Sequence, residues 1–316
     1  MSSKYVLITV LLLGAGVCNA EPFAYITNQL DNSVSVIDTT TAEVVRTITV
    51  GKRPAGVAAM PDNSRIFITN PEDKTVSVID GERLEVTDTL PAGEGPVAIA
   101  IHPDGDRFYL ADWYENIVQV VDTRTLERIT TIEVGRSPSG LAVHPDGHTL
   151  YVANRDDNTL SLIDLHTNRV EATIEVGTAP FGVSVANDGS QIYTANVQSS
   201  DVSIVNSREF RVTATVAVGM FPYASVHVPR INRLFVTNQR GASVSVIDLE
   251  TQETITTIDV GIYPEGINLL PDGKTLYVSN WGDNSIAVIN SETLEVTDTI
   301  AVGEGPRAYG QFVAPR

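Results

Sequence analysis

The chain has 316 residues, with 39 acidic against 21 basic side chains and a formal charge of −18. That balance excludes a protein that holds nucleic acid through overall positive charge, because phosphate backbones are repelled unless the few cations are gathered in one place. A single cysteine, Cys18, excludes a disulfide framework, so a large closed core has to stabilise the fold.

The first element is MSSKYVLITVLLLGAGVCNA, residues 1–20, with Lys4, an apolar run from Tyr5 to Leu13 and a small residue at Ala20. This is the layout of a cleaved secretory leader. Val17 stands where a lipobox has Gly, Ala or Ser, which favours cleavage after Ala20 over lipidation of Cys18. The mature chain, residues 21–316, then carries no cysteine and is expected in the periplasm or outside the cell. No second apolar run is long enough to span a bilayer.

From Phe23 the chain becomes periodic. Phe23 to Thr49 reads as three short strands, and Gly51 opens a unit that returns every 42 residues at Gly93, Gly135, Gly177, Gly219, Gly261 and Gly303. Pro54, Pro96, Pro138, Pro180, Pro222, Pro264 and Pro306 follow at a constant offset. Each unit holds a GVAA-like strand and a turn such as PDGK, then a strand such as LYVSN, VSVID after a polar turn, and a last strand such as EVTDTI. Runs rich in Val, Ile and Thr with Pro-Asp-Gly or Asp-Asn between them are strand signals, and four strands in about 40 residues make one propeller blade.

Six complete units run from Gly51 to Ala301, and the chain ends on VGEGPRAYGQFVAPR, the opening of a seventh. The expected fold is therefore all-β: a seven-bladed β-propeller of four-stranded antiparallel blades, its ring closed by pairing the C-terminal inner strand with the three N-terminal strands. Closure removes two exposed sheet edges.

The recurring G-x-x-P, PDG, YVTN-type (LFVTN, LYVSN) and VSVID elements resemble the YVTN-repeat family of seven-bladed propellers over everything after the leader. Asp112 replaces the family's Asn, and PRIN at 229–232 replaces PDG. The resemblance implies an extracytoplasmic or cell-surface protein; some members resemble nucleic-acid binders and others surface-layer components. Fold alone does not fix function.

Among polar residues, the series Asn28, Asn70, Asp112, Asn154, Asn196, Asn238 and Asn280 is expected to end strands by bonding nearby backbone rather than to form a ligand ring. His102 and His144 sit in HPDG turns and His227 on an inner strand, with no Cys or close His pair to complete a metal site. No G-x-S-x-G or phosphate loop is present. No metal, no cofactor and a monomer are expected.

What breaks the period marks the candidate site. The loop between Gly and Pro and the loop after the YVTN-type strand reach one rim of the central channel. There the sequence places a basic sector with Arg53, Arg136, Arg155 and Arg307, and aromatic groups Trp113, Trp281, Phe221, Tyr223 and Tyr263, with Glu265 beside them. Arg and flat rings on an acidic body suit an anionic or aromatic small molecule, or a protein partner, bound without catalysis. Two alternatives use the same groups: a channel-mouth enzyme of lyase or lactonase type with Glu265 and Arg307 as its acid or base pair, and a single-stranded nucleic-acid binder.

Overall fold

A computed structural model of the chain describes residues 23–313; the expected leader and Cys18 lie outside the described residues. Three strands, β1 (Phe23–Asn28), β2 (Ser33–Asp38) and β3 (Glu43–Thr49), begin the ring. The first complete blade follows as β4 (Gly56–Ala59), β5 (Arg65–Asn70), β6 (Thr75–Asp80) and β7 (Glu85–Pro91). Blades two to six occupy residues 96–133, 138–175, 180–217, 222–259 and 264–301, each a four-stranded antiparallel meander with its first strand innermost.

The alternation of VSVID suggests a strand with one wet face, yet the second and third strands of every blade are buried almost throughout. A blade is a sheet with a neighbour on both sides, so neither face meets water. The fully buried rings Tyr25, Phe67, Tyr109, Tyr151, Tyr193, Phe235 and Tyr277 fall one per blade, and Phe67 meets Phe108 of the next blade at 4.7 Å between centroids. The outermost strand is the wettest, as in β3, where a single residue, Ile48, is buried, and the inner strands are half-buried where they line the channel.

The Asn series ends strands by a longer reach than a local turn bond. Each of the six Asn amides donates across the turn to side-chain oxygens at the start of the following strand, at 2.7–3.2 Å. Asp112 has no amide to donate. It accepts instead from the backbone of Glu94 at 2.7 Å and of Gly95, Tyr114 and Glu115 at 3.0–3.1 Å. Gln119 stands where five other blades place a partner serine, and its amide reaches the Ala92 carbonyl at 2.9 Å. Local bonding belongs to the other Asp/Asn series: Asp38, Asp80, Asp122 and Asp248 each accept two backbone N–H groups within three residues.

Ring closure follows the expected pairing with one local departure. The C-terminal segment lies antiparallel to β1, with bridges Asn28–Pro306 and Ala24–Val313 and bonds from Arg307 N to Thr27 O and Tyr25 N to Phe312 O, both 2.8 Å. Between those anchors Tyr309–Gln311 leave β1 and pair parallel with β4. In blade three Val143, five residues after Pro138, pairs with Leu150, four before Asn154. Val313 is seven residues past Pro306, so the closing segment carries two more residues over the same span. Gly310, at φ +116°, allows the detour, and a Cβ there would stand 2.5 Å from the Val57 carbonyl. Asn268 of blade six replaces the missing ladder: its Oδ1 accepts from Phe312 N at 2.9 Å and Val313 N at 3.2 Å, and its amide donates to Gly310 O at 3.0 Å.

Candidate functional site at the channel mouth

The residue after each period proline, Ala55, Val97, Ser139, Phe181, Tyr223, Glu265 and Arg307, lies at or just before the start of an inner strand. These seven positions form a ring at the neck of the channel. Hydroxyls of the preceding blade hold several of their carbonyls: Thr27 donates to Ala55 O at 3.0 Å, Thr237 to Glu265 O at 2.8 Å and Ser279 to Arg307 O at 2.8 Å. One half of the ring is small and the other half large. The next residue is Gly or Ala in every blade because adjacent inner strands touch there; a Cβ on Gly140, Gly182 or Gly266 would fall 2.0–2.3 Å from a neighbouring carbonyl oxygen.

The large half closes the channel. Phe181 and Tyr223 lie 4.4 Å apart, and Tyr309 of the closing strand crosses to them at 5.2 and 5.5 Å, its hydroxyl donating to Phe181 O at 3.0 Å. Arg307 directs Nε and Nη2 to the Tyr223 hydroxyl. Its Nε is also 3.1 Å from Glu265 Oε2, but the N–H points at tyrosine, so Oε2 is buried without a hydrogen bond while Oε1 accepts from Gln239 at 2.7 Å. Burial raises the Glu265 carboxyl above its ordinary value, and Arg307 and Gln239 pull it back only in part. Burial likewise raises the hydroxyls of Tyr223 and Tyr309.

Above this plug, over the small half, lies a cavity of about 460 Å³, within the range of small-ligand sites. Ala55 and Val97 leave the space; Arg53, Glu72, Trp113, Tyr114, Phe181 and Arg307 shape it. Below the plug a wider, mostly apolar chamber of about 570 Å³ opens at the opposite end.

The rim residues named from sequence divide accordingly. Arg53, Trp113 and Arg307 line the upper cavity, and Tyr223 and Glu265 support its floor through Arg307. Arg155 lies over Trp113 at 5.6 Å while paired to Asp156 at 2.7 Å. Arg136 is tied to Asp157 at 2.6 Å and stays outside the cavity. Phe221 is covered by Arg240 at 3.8 Å. Tyr263 packs on Trp281, whose indole N–H donates to Gln29 Oε1 at 3.2 Å. The basic sector is thus largely neutralised, and the aromatic groups divide into one cluster of Trp113, Phe181, Tyr223 and Tyr309, a separate Tyr263–Trp281 pair, and Phe221 under Arg240.

Sequence reasoning missed Tyr309, Glu72 and Gln239. Tyr309 had a signal: it replaces the Val57, Ile99, Leu141, Val183, Ser225 and Ile267 of other units. Glu72 and Gln239 sit in rim turns of varied composition and had none. At the other end of the channel, His102 and His144 each span to the next blade, with Nε2 at 2.8 Å from Gly147 O and 3.0 Å from Gly189 O. His102 Nδ1 lies 2.6 Å from Asp104 in a cluster with Asp106.

A family model described as Lactonase, 7-bladed beta-propeller matches residues 79–211. A search of curated proteins finds no match. Among solved structures, Kuenenia stuttgartiensis Hydrazine Synthase is similar at 22% identity and a TM-score of 0.77, over 89% of this chain and 99% of that one. A functionally unknown protein from Desulfotomaculum acetoxidans DSM 771 is similar at 16% identity and a TM-score of 0.79, over 91% and 99%. Dihydro-heme d1 dehydrogenase NirN in complex with DHE is similar at 14% identity and a TM-score of 0.70, over 91% and 74%. These likenesses carry the fold.

Proposed function

We propose that this is an extracytoplasmic propeller of the YVTN-repeat type that binds a small aromatic carboxylate in the upper cavity and catalyses nothing. The observation that carries the reading is the state of the cations there. Lys52, Lys74, Arg136 and Arg155 are each paired to an acid, whereas Arg53 makes no side-chain pair among the described residues and lines the cavity beside Trp113 and Phe181. Arg307 lines the cavity from the floor, held there by the Tyr223 hydroxyl and by Glu265 at 3.1 Å. Two guanidiniums and flat walls suit a carboxylate on a ring. The extracytoplasmic placement rests on the leader-like residues 1–20.

The test is calorimetric titration of the mature chain with a panel of aromatic carboxylates. Arg53→Glu is expected to weaken the best ligand at least tenfold, and Arg136→Glu, outside the cavity, to leave it unchanged. Equal effects of the two substitutions would remove the reading.

A second reading, opening of a lactone at the same mouth, is favoured by the family match over residues 79–211 and by Glu265, whose buried Oε2 lacks a hydrogen bond beside Arg307. A carboxyl with a raised pKa is suited to proton transfer near neutral pH. Turnover of aromatic lactones that disappears in Glu265→Gln would establish it in place of pure binding.

A further inference from the structure

We infer that the mouth cavity selects a zwitterion, a molecule with an aromatic ring, a carboxylate and an ammonium group in the manner of a free aromatic amino acid; this rests on the binding reading above. The observation behind it is the acid rather than the cation. Glu72 lines the same cavity as Arg53, from the turn after β5 of the same blade. The neighbouring rim acids are engaged: Asp73 by Lys52, Glu94 by Lys74, Asp156 by Arg155 and Asp157 by Arg136. Glu72 has neither an ion pair nor a side-chain hydrogen bond among the described residues, and it is exposed.

An unpaired Arg and an unpaired Glu thus face one apolar space without meeting each other within ion-pair distance. A purely anionic ligand drawn to Arg53 and Arg307 is repelled by Glu72, and a purely cationic one by the two guanidiniums. A molecule carrying both charges close together satisfies all three. Its carboxylate sits at the Arg53 and Arg307 guanidiniums, its ammonium faces Glu72, and its ring lies against the wall that Trp113 and Phe181 form together, their rings in tilted contact at 6.2 Å between centroids. A cavity of about 460 Å³ accommodates a bicyclic ring system.

Four probes on one scaffold separate the outcomes when titrated calorimetrically into the mature chain: L-tryptophan, indole-3-acetate, tryptamine and indole. Tryptophan is expected to bind at least tenfold more tightly than each of the others. Glu72→Gln is expected to erase its advantage over indole-3-acetate, and Arg53→Gln its advantage over tryptamine. Both side chains are exposed, so unchanged thermal midpoints are expected to show that the variants fold. Indole-3-acetate binding as tightly as tryptophan overturns the zwitterion while leaving the aromatic-carboxylate reading in place. Failure of every indole probe to bind the wild-type chain overturns both.

Discussion

The residue before each period proline shows how single side chains are placed on this rim. Arg53, Ser137, Ala179, Phe221 and Tyr263 all have φ between +53° and +57°, a region that costs a side-chain-bearing residue about 1–2 kcal/mol. The conformation persists because the preceding blade holds the turn: Asn32, Asn116, Asn158 and Asn284 accept from the N–H of residues 53, 137, 179 and 305 at 2.8–2.9 Å. Ala242 occupies that Asn position before Tyr263, itself at φ +47°. Its methyl offers no acceptor and tolerates the left-handed region poorly, whereas Asn does both tasks. Ala242→Asn is therefore expected to stabilise the protein by about 1 kcal/mol and to raise the thermal midpoint by roughly 2 °C for a chain of this size. Calorimetry checks this, and an unchanged or lower midpoint would show that the missing bond is not limiting.

At the scale of elements, the closing strand depends on a side chain rather than on its own ladder. Asn268 makes three bonds to Gly310, Phe312 and Val313. Asn268→Ala leaves these groups without partners at 1–3 kcal/mol for each one that stays buried and dry, so a loss of about 3 kcal/mol is expected. The loss should be local in origin: hydrogen exchange is expected to accelerate at the amides of Tyr25 and Phe312 and to stay slow in blades two and three. Uniform acceleration would mean that closure does not depend on this contact. The strand itself was readable, because a 42-residue period with no insertions leaves one place for a seventh inner strand. The two extra residues in its path were not, since they keep the period and show only in the pairing. The site was half readable for a related reason. Arg53, Phe221 and Tyr263 stand two residues after the period glycine, and Phe181, Tyr223, Glu265 and Arg307 stand four after it. The rim loops mix the two offsets, and only the second forms the neck of the channel. The ion pair that neutralises Arg136 joins two turns 21 residues apart and left no pattern along the chain, whereas Arg155 pairs with its own neighbour Asp156.

For the molecule as a whole, the pH dependence of stability sums many carboxylates, and the buried one at the neck has the opposite sign from most. Asp157, which accepts from the Arg136 backbone and guanidinium, and Asp122, Asp164 and Asp248, which accept from turn amides, are held below the usual range. Their stabilisation is present above the unfolded value and lost as pH falls through the folded one. Glu265 is raised by burial from an ordinary value near 4.5, so its contribution is complete below that value and lost as pH climbs through the raised one. A chain of −18 also relieves its self-repulsion on acidification, and the wild-type curve alone therefore hides the term. The difference between wild type and Glu265→Gln isolates it, because every other group is common to both. Relative to Glu265→Gln, the wild-type protein is expected to lose stability as pH rises above the ordinary carboxyl value near 4.5, measured by urea unfolding at each pH. A wild type that instead gains on the variant as pH rises would mean that attraction to Arg307 outweighs burial, and the neck would then be an ion pair held charged rather than a carboxyl inclined to keep its proton.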